Sequence, residues 1–230
     1  MIGEHKRIPK SPRRYRLRAR AESQERTRQR IVEAAVELHQ CVGPLAANVS
    51  ELARAAGVTR LTVYRHFPDE RSLFAACTGL FLGHNPPPDS GAWARIADPW
   101  RRLERALPEI YAWWRQVAPM ARSVLRDAQR EPGRIGLGFA SFVTRTDALL
   151  EAGFGRRSPL FRAALRHVVR FPSWDALTDA GAVPDAPAAA LAIALVRAAQ
   201  RIPESGSRAR EYRRRCVERD RPRRSLPEFP

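Results

Sequence analysis

Apolar positions along the chain recur at helical spacing almost from end to end. Ile31, Ala34, Ala35 and Leu38 fall at i, i+3, i+4 and i+7, one face of a helix that begins near Ser23 and stops at Gly43 and Pro44. Two short helical segments follow, 49–56 and 60–67, separated by Gly57, Val58 and Thr59. A further helix is predicted over 69–82, with Leu73, Phe74, Cys77, Leu80 and Phe81 turned inward. Gly83 to Gly91, with Pro86, Pro87 and Pro88, reads as a linker and a domain boundary.

Beyond the linker the helical period returns. Asp98 before Pro99 makes a good N-cap, and Leu103, Leu107, Ile110, Trp114 and Val117 form one stripe. Pro108 lies inside that stripe and predicts a kink, because a carbonyl loses its donor and the ring crowds it. A separate helix is expected over 118–130, and another through Ile135, Phe139, Phe142, Thr146 and Leu150. Ser158 and Pro159 start the next, with Phe161, Ala164, Leu165 and Val168 facing in and Pro172 interrupting it. Asp185 opens an alanine-rich helix that runs to about Gln200. No strand alternation and no internal repeat is visible, so the expected class is all-α. Residues 1–22 and 201–230 lack an apolar period. They read as a basic flexible arm and a basic tail expected to be disordered, around segments 23–82 and 83–200.

The segment from Asn48 to Phe67 carries the most specific pattern. Asn48 can cap the first helix, with Glu51 three residues on. Ala53 is small where two helices must cross closely, and Gly57 sits where the turn between them needs positive φ. Thr59 is a natural N-cap for the second helix, and Val63 packs it onto the first. Together these features describe a helix-turn-helix. At about 100° per residue, Val63 and Phe67 face the core, whereas Leu61, Thr62 and Arg65 point away from it and Tyr64 and His66 lie on the flanks. Such a surface suits a major groove. Arg60 or Arg65 could bond guanine O6 and N7, and Leu61 and the Thr62 methyl could touch a thymine methyl. Tyr64, His66 and the backbone amides of Asn48 to Ser50 would hold phosphates.

Charge agrees with a polyanion partner. Lys and Arg outnumber Asp and Glu 41 to 24, a net +17. The excess is concentrated at the ends. Residues 1–30 hold eleven basic residues against three acids, and residues 201–230 hold ten against five. Solvated tails and DNA-contacting arms both fit this distribution. Cys41, Cys77 and Cys216 form neither a disulfide framework nor a zinc spacing, which suits a reducing cytoplasm; Cys41 and Cys77 read as small hydrophobes. The five histidines show no metal spacing, and His39 reads as a surface or boundary residue. No nucleophile motif or phosphate loop is present, so neither an enzyme nor a cofactor is expected. The basic N-terminus lacks the apolar region of a secretory signal, and the longest apolar stretch, Ala186 to Val196, is too short to span a bilayer.

From Arg28 to Ala76 the chain resembles the DNA-binding domain of the tetracycline-repressor (TetR) family. The matching residues are Ile31, Ala34, Ala35, Leu38, Gly43, Leu52, Ala53, Ala56, Gly57, Val58, Thr62, Val63, Tyr64, His66, Phe67 and Leu73. The resemblance implies a homodimeric repressor on a palindromic double-stranded operator, and a helical C-terminal domain that binds a small molecule and releases DNA. It gives Arg60, Leu61, Thr62, Tyr64, Arg65 and His66 the DNA-contact role, beside Asn48 and Thr59 at the caps. It also places the dimer seam on the last two helices, about 159–180 and 185–200. Two departures stand out. Leu61 replaces the usual glycine, proline or alanine, and Glu70 replaces a common phosphate-binding lysine. Among the large apolar residues of the C-terminal two-thirds, Trp113, Met120, Phe139 and Phe142 are candidates to line a pocket for an apolar effector. The alternative to an operator-specific regulator is a non-specific architectural DNA-binding protein driven by net charge.

Overall fold

A computed structural model describes residues 12–131, 137–155, 157–178 and 182–202. The expected arm residues 1–11, the tail 203–230, Ile135 and Cys216 lie outside them. The described residues form ten helices and no strand: α1 (Pro12–Cys41), α2 (Val49–Ala55), α3 (Arg60–His66), α4 (Glu70–His84), α5 (Ser90–Ala94), α6 (Pro99–Arg130), α7 (Leu137–Glu151), α8 (Pro159–Val168), α9 (Phe171–Leu177) and α10 (Asp185–Arg201).

Two apolar cores divide the chain. The smaller gathers Ile31, Val32, Ala34 and Ala35 of α1, Leu52, Ala53 and Ala56, then Val63, Phe67 and Cys77. The larger runs from Trp93 to Val196 and is dominated by α6. Helix α4 serves both, with Leu73, Ala76 and Leu80 against the first and Phe81 and Leu82 against the second. Helix α4 thus bridges the two cores, ahead of the proline run. Asn85, just past α4, accepts from Trp113 Nε1 through its backbone carbonyl at 3.1 Å, while its Oδ1 accepts from Gln116 Nε2 at 3.1 Å.

Three elements depart from the sequence expectation. Helix α1 starts at Pro12, not near Ser23. Residues 15–22 are exposed all round, so no apolar stripe announces them, but Arg, Leu, Ala and Glu propagate a helix already nucleated on the core. Helix α6 runs unbroken for 32 residues through Pro108 and Pro119. Each interior proline costs about 3 kcal/mol. Leu103, Leu107, Ile110, Tyr111, Trp113, Trp114 and Val117 are all buried on this one helix, and at about 1.5–3 kcal/mol per large side chain their burial outweighs that cost. Pro172 sits in the first turn of α9, where a missing N–H is harmless, so it begins a helix rather than merely breaking one.

Polar atoms fasten the larger core. Tyr111 Oη donates to Val168 O at 3.0 Å and Trp114 Nε1 to Val169 O at 3.0 Å, which ties α6 to the α8–α9 turn. Arg102, itself buried, donates to the carbonyls of Ile96, Leu149 and Ala152 and so joins α6 to the ends of α5 and α7.

The two halves meet where α6 reaches the end of α1. Asp127, 2% exposed, accepts from Leu45 N at 3.0 Å; Arg126 donates to Val42 O at 3.0 Å and Ser123 Oγ to Gln40 O at 3.2 Å. Gly43 lies under this clasp at φ +94°, and a Cβ there would come within 2.4 Å of both Arg126 and Asp127. His39, expected near the surface, is buried instead, stacked on Phe74 with ring centroids 5.1 Å apart. Burial pushes its pKa down to about 4, partly opposed by the Asp127 charge. Cys77 is buried and its thiol is pushed up to about 12 by burial, so it stays protonated, as a small hydrophobe should. Cys41, the last residue of α1, is exposed, unlike the small hydrophobe the sequence suggests.

Candidate nucleic-acid interface

The helix-turn-helix is built from its caps and its turn. Asn48 Oδ1 accepts from Ser50 N at 3.0 Å and Glu51 N at 2.9 Å, opening α2. At the other end, Gly57 N donates to Arg54 O and Val58 N to Ala53 O. This is a Schellman closure, which needs a left-handed residue at the position of Gly57, found at φ +62°. The chain thereby reverses into Thr59, whose Oγ1 accepts from Thr62 N at 3.2 Å and lies 2.9 Å from Thr62 Oγ1. Helix α3 is then pressed onto α2 and α1 by Val63, 2% exposed, and by Phe67. The guanidinium of Arg28 on α1 sits 5.1 Å from the Phe67 ring centroid, fixing the far end of α3.

This packing leaves an outward face. Leu61 is 78% exposed and Tyr64 47%, with Arg60 and Arg65 exposed beside them. A large aliphatic side chain is thus exposed beside two guanidinium groups on one helical face. The four lie on one helix held at both ends, so their relative positions are set before any partner arrives.

The remaining expected residues sit differently. Thr62 is half-buried and its hydroxyl is engaged with Thr59, which leaves its methyl as the group free to touch a base. His66 is half-buried, and its Nε2 is enclosed without a hydrogen-bond partner among the described residues, so it cannot reach a phosphate through that atom as placed. The Ser50 amide, expected to hold a phosphate, is already satisfied by Asn48. Asn48 and Thr59 therefore work in the caps that aim the helices. Glu70 is exposed in the first turn of α4, one residue after the Asp69 cap.

The candidate effector residues lie in the larger core. Trp113, Met120, Phe139 and Phe142 are all buried. The Trp113 ring lies 4.6 Å from Phe142, 5.9 Å from Phe139 and 4.7 Å from Trp114, so the structure brings the three aromatic candidates together across α6 and α7. Sequence reasoning missed Thr146, whose buried Oγ1 has no partner among the described residues although it shares α7 with Phe142. Its only signal was a hydroxyl in an otherwise apolar stripe.

Comparison with known proteins adds an independent line. Residues 31–77 match the family described as bacterial regulatory proteins, tetR family. Over 58 residues the chain is 41% identical to the HTH-type transcriptional regulator AcrR of Shigella flexneri, covering 25% of this chain and 26% of that one. Over 59 residues it is 48% identical to the HTH-type transcriptional regulator SrpR of Pseudomonas putida, covering 26% and 28%. The match thus spans about a quarter of the length of these relatives. A Mesorhizobium loti crystal structure assigned to the TetR-family transcriptional regulators superimposes with a TM-score of 0.50 at 17% identity, over 76% of this chain and 96% of the other, a likeness of fold. The matched residues are those that build the smaller core and its two capped helices. Over that stretch, and within a quarter of its length, the chain is thus similar to the tetR family of bacterial regulatory proteins.

Proposed function

We propose that this chain is a dimeric, sequence-specific DNA-binding repressor that grips a palindromic operator with α3 and releases it when a small apolar ligand enters the larger core. The observation that carries the reading is the clamped α3, with Val63 and Phe67 locked inward and Arg60, Leu61, Tyr64 and Arg65 presented outward. Arg60 and Arg65 supply the bidentate guanine contacts, Leu61 and the Thr62 methyl meet thymine methyls, and Tyr64 braces a phosphate.

Dimerisation is supported by α8 and α10, which pack on each other and still expose Leu160, Leu191 and Leu195. Exposed small residues at Ala190, Ala194 and Ala198 on the outer side of α10 permit a close second copy. Two such copies would present two α3 helices to successive major grooves. The effector reading rests on the aromatic group of Trp113, Phe139 and Phe142 with Met120, which a ligand must part in order to enter. The site of action is the bacterial cytoplasm and nucleoid.

The decisive experiment selects bound sequences from a random DNA pool. An enriched palindrome is the expected outcome, and equal recovery of unrelated sequences would favour the architectural alternative, which the net charge of +17 keeps in view. Leu191→Glu with Leu195→Glu should convert a dimer to a monomer by sedimentation and abolish operator binding. A dimer that persists would place the seam elsewhere.

A further inference from the structure

The first turns of α1 have no role in either core. Among the described residues, no member of the smaller core lies N-terminal to Ile31, and every residue from Tyr15 to Arg26 is exposed. A helix that is polar all round and buries nothing is not maintained by packing. Its internal support is weak too: the Arg18–Glu22 pair at 2.9 Å is exposed on both sides. What this stretch does have is position and charge.

Position comes from the two ends of α1. Its C-terminal end meets the larger half, where Gln40 O accepts from Ser123. Its middle crosses the helix-turn-helix. Arg28 lies over Phe67, the C-cap of α3, and the Arg30 guanidinium is 3.8 Å from where a side chain would start at Gly57 in the α2–α3 turn. Residues 15–26 therefore project past the DNA-reading motif, away from the clasp with α6. At 1.5 Å per residue they extend about 18 Å, the rise of about five base pairs.

Charge is arranged to match. Leu17, Ala21 and Gln24 continue the face that carries Arg28, and Arg18 and Arg20 flank that stripe on opposite sides at about 100° per residue. Arg16 and Arg20 make one side of that stripe cationic, and Arg18 beside Glu22 stands on the other, a flank that suits the backbone of a duplex. Arg16 and Arg26 add to the same field, against Glu22 and Glu25.

We propose that residues 15–26 of α1 form a second DNA-contact element, a basic helix that lies against the phosphates outside the half-site read by α3. This rests on the proposed function, since it takes DNA as the partner of α3. The element neutralises phosphates and carries no base information of its own. It lengthens the footprint of each protomer outward and adds salt-sensitive affinity equally to all sequences.

The test uses the full chain with Arg16→Ala, Arg18→Ala and Arg20→Ala combined. Alanine keeps the helix, and circular dichroism and thermal melting, which should match those of the wild type, confirm that the fold is intact. The slope of log affinity against log salt should become shallower by about 0.9 for each phosphate no longer neutralised. Affinity for the operator and for unrelated DNA should fall by the same factor, so their ratio stays constant, and hydroxyl-radical protection should shrink at the outer edges of both half-sites. An unchanged slope with an unchanged footprint overturns the proposal, as does a changed ratio, which would mean that the helix reads bases. A variant that keeps its full DNA affinity and no longer adheres to anionic vesicles overturns it too. If pool selection finds no operator while the triple variant still flattens the salt slope, the operator reading fails and the phosphate-contact helix survives.

Discussion

The two halves of this molecule solve different problems with different materials. The smaller core is built from ten buried residues, mostly Ala, Val, Leu and Ile, and its shape is dictated by caps and one left-handed turn. The larger is built on Trp93, Trp114, Trp174, Tyr111 and Phe161, and its shape is dictated by ring packing and by indole and phenol groups that find carbonyls. In the first, a few atoms set the aim of one short helix. In the second, a large apolar volume is filled, and many side-chain combinations would fill it equally well. The contrast explains why about fifty residues carry a recognisable fingerprint and the rest shares only an outline with the Mesorhizobium loti structure.

That contrast can be broken in order of expected effect. Trp114→Ala should cost about 3–5 kcal/mol, because the ring touches Trp113, Phe139 and Phe171 and leaves a cavity none of them can fill. Chemical denaturation reads this, and the preferred DNA sequence should not change. The reverse is expected of Tyr64→Ala with Arg65→Ala. Discrimination between operator and random DNA should fall by about 1–3 kcal/mol for a lost bidentate pair, with a midpoint of unfolding that scarcely moves. A variant that lost stability and kept its discrimination would assign those side chains to the wrong surface.

A pH titration sharpens the comparison further. His39 is held neutral in the fold, with its pKa lowered from 6.5 to about 4. The unfolded chain takes up the proton first, so stability is complete above pH 6.5 and declines as pH falls toward 4, by at most about 1.4 kcal/mol per unit. Melting followed from about pH 7 to about pH 4.5 should show this slope, and His39→Phe, which keeps the stack on Phe74, should flatten it. The smallest effect belongs to the projecting helix. Glu22→Ala removes an exposed i,i+4 pair and should change stability by less than about 0.5 kcal/mol, as read by thermal melting.

Much of the small domain was legible because local chemistry fixes it. Asn48, Gly57 and Thr59 each do in the structure what their side chains, or the lack of one, allow at that spacing. What escaped the sequence lay where distant parts of the chain decide. Helix α1 before Ser23 has no period to detect, since its residues from Tyr15 onward are exposed. Pro108 looked like a kink, and the stretch from Ala118 like a separate helix, because a proline's cost is local while the burial that outweighs it comes from α7 to α10. His39 looked like a surface or boundary residue because the Phe74 ring that stacks on it comes from another helix. Thr62, expected to point outward, is half-buried with its hydroxyl on Thr59, and a ring nitrogen of His66 is enclosed, because neighbouring elements lie where a helical wheel shows only solvent.

The clasp between Asp127 and the Leu45 amide has a bearing on how the smaller half can be handled. That carboxylate lies 82 positions downstream of the backbone group it serves, and Gly43 beneath it tolerates no added carbon. An excised fragment ending after α4 would keep every fingerprint residue and lose the anchor for the loop leading into Asn48. The most recognisable stretch of the chain is, in this sense, a tenant of the least recognisable one.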